Sequence, residues 1–573
     1  MFPSSRFALA GLVFVLVACA SPPQNSQSPS GASTAASAAP QRIAVVGIQR
    51  EPPTLALRPL QETFASQYTP NRAFNADIAF LDDRGVPRPY LVEGLPQLNT
   101  DSWRVAPDGR METTYRFKPN LRWHDGTPFS ARDYVFGWRL YTTPELGLSQ
   151  SPPFDAIEDA SAPDDRTLVI RWSKPFPDAA HMAGRDRQFP ALPRHVLQAT
   201  YESESPDTIA NLPYWTRDYV GLGPYRMVRW EPGAFIEMTA FDGHAGGPPK
   251  IARMKLQFIT DRNTALANAL SREVDALADN SIQFEDAMTL RREWEPRQGG
   301  TVIWLFGVWR GIDIQARPAF VRPESLLDAR VRRALNHAVD RQGINDAIYD
   351  GVGLLANYVM PPIGQWGEAA RDGAIDYPYD PRQSELLMRE AGFEKGTDGM
   401  FTSRSGVRFN AELKTSAGSD NERELAVIGN SWRTAGFDVT QAVVPNALTQ
   451  DLETRAGYPA MYLLSTPGGD RNAVTYTSDN IPLPENRWRG GNRSGWSNDE
   501  YTRLANLFKS TLDVDQRKEQ LKHMARVYTE DAASVSLYFR PQVWAFTSAL
   551  RGPVPTAPDT DTTWNMPDWE LVQ

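Results

Sequence analysis

Apolar and polar positions alternate most clearly in the run TTYRFKPNLRWHDGTPFSARDYVFGWRL, which begins at residue 113. Tyr115 and Phe117 are flanked by polar neighbours, as in a strand with one buried face. Asp125-Gly126 is a tight-turn dipeptide, because glycine adopts positive φ without steric cost. Ser130 has the position of a helix N-cap, three residues before an acidic side chain. The pattern predicts a strand, a turn, a second short strand, another turn and a helix.

Apolar residues recur at helical spacing between residues 328 and 349. Val331 and Leu335 are four positions apart and Asp328 is suited to cap the N-terminus, so the segment predicts one long amphipathic helix. A second helix is predicted after Asp380, with proline at its first position and a glycine at its C-terminal end. A strand, a helix and another strand are also predicted in turn over residues 410–444.

The N-terminus has a different pattern. Residues 7–18 are almost wholly apolar but too few for a membrane span, which predicts an export signal over residues 1–19. The signal ends in Leu-Val-Ala-Cys, similar to a bacterial lipoprotein cleavage box, so Cys19 is the predicted lipid attachment site. The alternative is a plain signal peptide with an incidental cysteine. Residues 20–41 are rich in Ser, Pro, Ala and Gln and predict a flexible tether.

Composition narrows the possible functions. The 573 residues are 41% apolar and 23% charged, as in a soluble globular protein with a large core. A net charge of −9 without basic runs argues against nucleic acid as a partner. Cys19 is the single cysteine, which excludes an intramolecular disulfide, zinc–thiolate sites and cysteine-nucleophile chemistry.

Histidine spacing gives no catalytic or metal-binding motif. The six histidines form no H-E-x-x-H or H-x-x-E-H pattern, and no G-x-S-x-G is present. His124 and Asp125 are adjacent, but the Asp-Gly turn explains the pair better than catalysis does. His337 lies in the predicted helix without metal-ligand partners at suitable spacing. We therefore expect no enzyme activity, no cofactor and no metal site.

Several motifs, taken in order along residues 42–550, resemble those of the family 5 extracellular solute-binding proteins. These are the dipeptide- and oligopeptide-binding components of ABC importers. The motifs are the block around Trp123, Asp125, Gly126, Pro128 and Phe129, the Gly221-Leu222-Gly223-Pro224-Tyr225 turn, and the helices DARVRRALNHAVDRQGI and YDPRQSELLMREAGF.

This resemblance implies an α/β fold of the periplasmic-binding-protein type. Two lobes are joined by two strands, an extra α+β subdomain lies on the first lobe, and a solute is enclosed between the lobes. The expected first lobe is residues 42–310 with the subdomain at about 86–199, the second lobe is 311–534, and 535–573 return to the first lobe. The apolar run at 304–309 is the expected crossing between the lobes.

The resemblance also implies candidate binding residues. Peptide-binding members pair an aspartate of the second lobe with the peptide ammonium, and the acid in the corresponding region here is Asp470. The tryptophan that precedes that aspartate in the family is absent, and a solvated turn residue is the alternative. Arg455 has the position of an arginine that binds a peptide carboxylate, or is a surface charge at a helix end. Tyr458 and Tyr462 flank the same region.

Trp304 and Trp309 lie near the expected crossing, where a ring could stack on a solute; packing in the core is the alternative for each.

The function implied by the resemblance is capture of short peptides and their delivery to an ABC permease and its ATPase subunits. The protein is expected to be a monomer on the periplasmic or extracytoplasmic side, held on a membrane by its lipid. Two alternatives stay open. One is the same fold binding a non-peptide solute, such as an oligosaccharide, an opine-like compound or a metal chelate. The other is a surface lipoprotein that acts as a sensor or adhesin.

Overall fold

The computed structural model describes residues 42–60, 68–184, 187–558 and 560–572. The predicted export signal, the lipidated Cys19 and the tether lie outside these residues. Within the described ranges, no helix has the length and apolar character that a membrane crossing requires.

The strands of the described chain are numbered in order. They are β1 Ala44–Ile48, β2 Ala79–Leu81, β3 Pro87–Pro89, β4 Trp103–Val105, β5 Met111–Arg116, β6 Ile157–Asp164, β7 Thr167–Trp172, β8 Tyr225–Glu231, β9 Phe235–Ala240, β10 Arg253–Phe258, β11 Ala276–Ala278, β12 Gly300–Ile314, β13 Leu354–Leu355, β14 Phe393–Lys395, β15 Phe401–Ser403, β16 Asn410–Ser416, β17 Asp438–Val444, β18 Met461–Pro467, β19 Ser534–Thr547, β20 Leu550–Arg551 and β21 Glu570–Leu571.

The α-helices are numbered in the same way. They are α1 Tyr68–Phe74, α2 Arg132–Tyr141, α3 Arg194–Ser203, α4 Pro206–Ala210, α5 Arg262–Leu270, α6 Phe284–Trp294, α7 Ala329–His337, α8 Arg341–Tyr349, α9 Gly364–Gly373, α10 Pro381–Glu390, α11 Ser419–Ala435, α12 Leu452–Ala456, α13 Asp470–Ala473, α14 Asp499–Phe508 and α15 Val514–Glu530.

One mixed sheet organises the molecule. Its strand order is β17-β16-β18-β12-β19-β11-β1-β10-β9-β8, and β13 pairs with β19 beside this path. Strand β1 is parallel to β10 and β11, and β16 is parallel to β17 and β18. Strands β12 and β19 are antiparallel to each other and to their other neighbours. The predicted α/β class is confirmed.

The two longest strands, β12 and β19, form a ribbon through the whole sheet. At one end of the ribbon, β11 pairs with β19; at the other end, β18 pairs with β12 from Val308 onward. The register of the ribbon shifts between Leu305 and Val308. We call the part built on β11, β1, β10, β9 and β8 the first lobe, and the part built on β16, β17 and β18 the second lobe. We call the apolar run at 304–309, which contains this shift in register, the crossing.

The parallel strands of both lobes end at the crossing. In the first lobe, Leu277 of β11 lies opposite Ala545, so the strand runs toward the middle of the ribbon. In the second lobe, Pro467 at the end of β18 lies opposite Val308. Open α/β sheets bind ligands beyond the carboxyl ends of their strands. The carboxyl ends of the strands in both lobes therefore lie at the crossing, where a ligand is expected.

A separate four-stranded sheet, β4-β5-β7-β6, forms the subdomain of the first lobe with α2 and α3. The predicted strand–turn–helix block lies here. Trp123 is buried, and its Nε1 donates to Asp133 at 3.2 Å, while the same carboxylate accepts the backbone N–H of Ser130 at 2.9 Å. The block is therefore an internally bonded corner.

His124 connects this corner to the glycine turn. Gly221 donates its backbone N–H to Nδ1 of His124 at 3.1 Å, so Nε2 carries the proton and donates to the carbonyl of Gly223 at 3.0 Å. Burial lowers the pKa of His124 to about 4, which keeps the ring neutral. The histidine thus joins two motifs of the chain.

The single helix predicted over residues 328–349 is wrong. The structure has two helices, α7 and α8, separated at Ala338. Asp328 caps the first helix as expected, but Asp340 accepts the backbone N–H of Gly343 and starts a second helix. An aspartate side chain can accept a backbone N–H that a continuous helix would use for its own hydrogen bond. The spacing of apolar residues does not reveal such a break.

Candidate functional site

A cavity of about 370 Å³ lies at the crossing, with walls from both lobes and from the ribbon. The register shift of the ribbon forms its floor, at Phe306 and Gly307. The second lobe contributes the end of β18. Its lining includes Asn71, Arg72, Gln188, Asp279, Asn280, Leu305, Val308, Ser465, Thr466, Pro467, Gly468, Gln542, Trp544, Thr556 and Asp561. We call it the central cavity.

The charged groups of the central cavity are Arg72, Asp279 and Asp561. Arg72 pairs with Asp561, with Nε and Oδ2 2.8 Å apart. Asp279 is 9% exposed, and its Oδ2 accepts the backbone N–H of Thr69 at 3.1 Å. Burial raises the pKa of Asp279 to about 7. The central cavity therefore holds one carboxyl group that no guanidinium or ammonium of the described residues neutralises.

A second cavity, of about 390 Å³, lies in the second lobe beyond the end of β16, and it shares Ser465 with the central cavity. Arg310, Arg455, Arg493 and Arg540 line it, and the lining includes no carboxylate. We call it the basic cavity.

Two of these arginines are held by carboxylates behind the wall. Glu424 is fully buried and accepts Nε of Arg310 at 2.5 Å, together with the hydroxyls of Tyr538 at 2.7 Å and Tyr349 at 3.2 Å. Arg540 lies 3.9 Å from Asp420. These contacts fix part of the wall and leave its other cations for a ligand.

Arg455 and Arg493 form no ion pair with the described residues, and their mutual repulsion adds to burial in lowering the pKa of Arg455. The hydroxyl of Tyr458 is buried beside them without a hydrogen-bond partner in the described chain. Tyr462 has its hydroxyl 3.2 Å from Ser416 Oγ. Two cations and a free hydroxyl facing one polar space are suited to an anion. Three of the predicted residues, Arg455, Tyr458 and Tyr462, thus meet in one wall.

Asp470 lies elsewhere, in a third cavity of about 250 Å³ between the lobes. Its Oδ2 is 2.9 Å from Nη2 of Arg187, which belongs to the first lobe. Arg187 also contacts Asp178 at 2.9 Å, and Arg517 of the second lobe is 3.5 Å from Asp178 and 4.0 Å from Asp470. We call these four residues the interlobe cluster. Asp470 therefore already has guanidinium partners, and its pairing with a solute ammonium stays a prediction.

The two tryptophans lie away from these cavity walls. Trp309 is fully buried, and its Nε1 donates to Ser536 Oγ at 3.3 Å. Trp304 packs against Phe284, with ring centroids 5.6 Å apart. Both rings therefore pack against other side chains of the protein, and a role in stacking on a solute stays a prediction.

Asp279 and Arg493 were not among the predicted residues. Asp279 follows a strand of only three residues, and Asp279 and Asn280 both have positive φ, at 49° and 61°. An Asp-Asn pair after an apolar run is a turn signal, which could have marked this strand end. Arg493 lies in a loop where local sequence gives no such sign. The described residues contain no group of three potential metal-ligating side chains.

Two lobes on a shared ribbon, with a cavity at the crossing, define the class of two-lobed solute-binding proteins. The sequence profile of the bacterial extracellular solute-binding proteins, family 5 (Middle), matches residues 95–480. The chain belongs to this family. The family is one of solute-binding proteins, and the sequence-based expectation of no enzyme agrees with it.

Individual relatives are distant. The dipeptide-binding protein of Escherichia coli K12 is 25% identical over 333 residues, which are 53% of this chain and 56% of that protein. Oligopeptide-binding protein AppA of Bacillus subtilis 168 is 21% identical over 451 residues, 78% of each chain. The chain spans about half the length of several of the curated relatives that it matches.

Solved structures support the fold. NikZ from Campylobacter jejuni in complex with Ni(L-His) superposes with a TM-score of 0.68 at 19% identity, covering 93% of this chain and 100% of that one. At this identity the similarity concerns the two-lobed fold.

Proposed function

We propose that the protein captures short peptides between its lobes and delivers them to a membrane permease of an ABC importer. The observation that carries the proposal is the central cavity, which takes walls from both lobes at the crossing of the ribbon. A ligand in such a place contacts both lobes only when they are closed, so binding shifts the population toward the closed form. Relatives named as peptide-binding proteins support a peptide as the solute.

The proposal assigns the peptide carboxylate to the basic cavity. Arg455 and Arg493 supply the charge, and the partnerless hydroxyl of Tyr458 supplies a further donor. Charge-assisted hydrogen bonds in a partly closed space are stronger than neutral ones. Tyr462 adds a ring to the wall, 5.5 Å from Tyr458 between ring centroids.

The remaining parts of the proposal concern location and organisation. Cys19 carries the lipid that holds a monomeric protein on the extracytoplasmic side of a membrane, and residues 20–41 act as a tether. Residues 42–310 and 311–534 are the proposed lobes, with 535–573 returning to the first. Labelling with a radioactive fatty acid, lost in a Cys19→Ala variant, would test the anchor.

Replacement of Arg455 tests the carboxylate assignment. In Arg455→Ala we expect affinity for a peptide with a free carboxylate to fall about 10- to 100-fold, because a charge-assisted bond is lost. Isothermal titration of di- to pentapeptides would measure this, each peptide being compared with its C-terminal amide. Arg382→Ala is the matched control, since Arg382 is exposed on α10.

If Arg455→Ala weakens acid and amide forms equally, the carboxylate lies elsewhere. Mass spectrometry of solute released from natively purified protein tests the wider proposal. An oligosaccharide or another non-peptide in that fraction would contradict it.

A metal chelate is the second candidate. The arginines of the basic cavity would suit the carboxylates of a chelating ligand as well as those of a peptide, and NikZ is described in complex with Ni(L-His). Elemental analysis of the natively purified protein separates the two candidates, because a bound chelate brings a stoichiometric metal.

A further inference from the structure

We propose that Asp279 of the first lobe binds the cationic amino group of the solute. This inference rests on the proposed capture of peptides and adds the residue that orients them. A carboxylate is the natural partner of an ammonium, and in a space with little water the charge-assisted hydrogen bond between them is strong.

The position of Asp279 in the fold supports this role. The residue directly follows β11, whose carboxyl end meets the crossing, and it forms part of the central cavity wall. Asp279 and Asn280 both have positive φ, a backbone conformation that costs free energy for residues other than glycine. The chain thus turns sharply at the edge of the sheet where ligands of α/β proteins bind.

The charge balance of the central cavity supports it independently. The guanidinium of Arg72 is engaged by Asp561, and Asp279 forms no ion pair with the described residues. An ionised carboxylate that is nine-tenths buried is costly without a positive partner. The solute ammonium would supply that partner.

A hydrogen bond also holds the Asp279 carboxyl group in position for contact with a solute ammonium. Oδ2 of Asp279 accepts the backbone N–H of Thr69 in α1 at 3.1 Å, a bond that favours the ionised carboxylate. The Oδ2 contact holds the carboxyl group in place. The carboxyl group is thereby held in the wall of the central cavity, where a ligand can contact it.

Asp279 and Asp470, the other candidate acid, differ in their ion pairing. Asp470 has Arg187 at 2.9 Å and Arg517 at 4.0 Å, so two guanidinium groups already occupy the surroundings of its carboxylate. A solute ammonium at Asp470 would have to compete with both. Asp279 presents no such competition.

The proposed contact also predicts the orientation of a bound peptide. The central cavity carries the unneutralised Asp279, the basic cavity carries Arg455 and Arg493, and Ser465 lines both cavities. A zwitterionic peptide would lie with its amino end against the first lobe and its carboxylate against the second. Its two ends would then pull the lobes together.

The test uses isothermal titration of the full chain with di- to pentapeptides, each with a free amine and N-acetylated. For the unmodified protein we expect acetylation to weaken binding about 10-fold or more, the loss of one charge-assisted bond. In Asp279→Asn this ratio should fall to about 3 or less, because the amide carries no charge. Asp279→Glu should restore part of it, and the exposed Asp372→Asn is the control.

The outcomes are distinguishable. If peptides bind and acetylation has the same effect in the unmodified protein and in Asp279→Asn, the inference is wrong and peptide capture stands. If the unmodified protein binds free and acetylated peptides equally, the inference is also wrong, whether or not any variant folds. If no peptide binds, the proposed function fails and the inference with it. A purely structural carboxyl that holds α1 would change stability and leave the acetylation ratio unchanged.

Discussion

Asp77 is a buried carboxyl group that connects two parts of the first lobe. Asp77 is 2% exposed, and its Oδ1 accepts the backbone N–H of Ile78 at 2.8 Å and the hydroxyl of Tyr134 at 2.7 Å. Burial is the largest effect on this group and raises its pKa to about 7. Asp77 therefore links the subdomain helix α2 to the segment after α1 through a group that titrates near neutral pH.

This raised pKa predicts a pH-dependent stability. Between the ordinary value of 3.8 and about 7 the folded chain holds a proton on Asp77 that the unfolded chain lacks. Its contribution to the free energy of unfolding is present at low pH and is lost as pH rises through this window, by up to about 1.4 kcal/mol per pH unit.

In Asp77→Asn that part of the pH dependence should vanish, so urea unfolding at pH 5, 6, 7 and 8 should give a flatter profile than the unmodified protein. Parallel profiles for the two proteins would contradict the assignment.

At the same scale, three residues named from the sequence lie together, and their role in binding stays a prediction. Arg455, Tyr458 and Tyr462 lie in one cavity wall, as their closeness in the sequence allowed. Asp470 was named from the family resemblance, but its carboxylate is paired with Arg187, which is far away in the sequence. Asp279 was missed because its importance lies in the lack of a cation nearby, a property of the packed molecule.

At the scale of elements, the glycine turn at residues 221–223 connects α1 with the subdomain. Gly221 and Gly223 let the backbone approach the end of α1, since a Cβ on Gly223 would overlap the backbone of Phe74 and Asn75. His124 bonds to the same turn from the subdomain. The glycine motif thus serves close packing, in agreement with its prediction as a structural turn.

Gly223→Ala tests this joint. We expect it to destabilise the protein by about 2–4 kcal/mol, because backbone atoms must move to admit the methyl group. Thermal unfolding measures the effect, with Gly94→Ala as control, since a Cβ on Gly94 meets nothing within 4 Å. Equal melting temperatures for the two variants would contradict the close approach.

The helix predicted over residues 328–349 shows a limit at this scale. Apolar periodicity continued across Ala338, and the pattern predicted one helix. Asp340 ends that continuity by capping α8. Periodicity reports which face is buried, whereas a helix break depends on a local competition for backbone hydrogen bonds.

At the scale of the whole molecule, the interlobe cluster joins the two lobes by ion pairs. Asp178 and Arg187 come from the first lobe, and Asp470 and Arg517 from the second. Their charges alternate, and burial of Asp178 is offset by its arginines, which hold its pKa below the ordinary value. We expect these ion pairs to favour a closed arrangement of the lobes over an open one.

Arg187→Ala should therefore shift the unliganded protein toward the open form, by about 1–3 kcal/mol for the loss of a charged hydrogen bond. Small-angle scattering should show a larger radius of gyration for this variant than for the unmodified protein. Added salt should change the unmodified protein more than the variant, because the variant has less charge attraction to screen. The exposed Arg371→Ala is the control. Identical scattering curves would mean that the cluster does not hold the lobes together.

By itself, the sequence determined the helix caps Asp328 and Asp380 and the family resemblance, which implied the α/β class. These features are encoded locally, because periodicity, turn residues and caps act over a few neighbouring positions. Only the tertiary structure decided which charges are neutralised: it paired Asp470 with Arg187 and Arg72 with Asp561, and it left Asp279, Arg455 and Arg493 facing the cavities. Electrostatic pairing depends on distances between residues hundreds of positions apart, which the linear pattern does not contain.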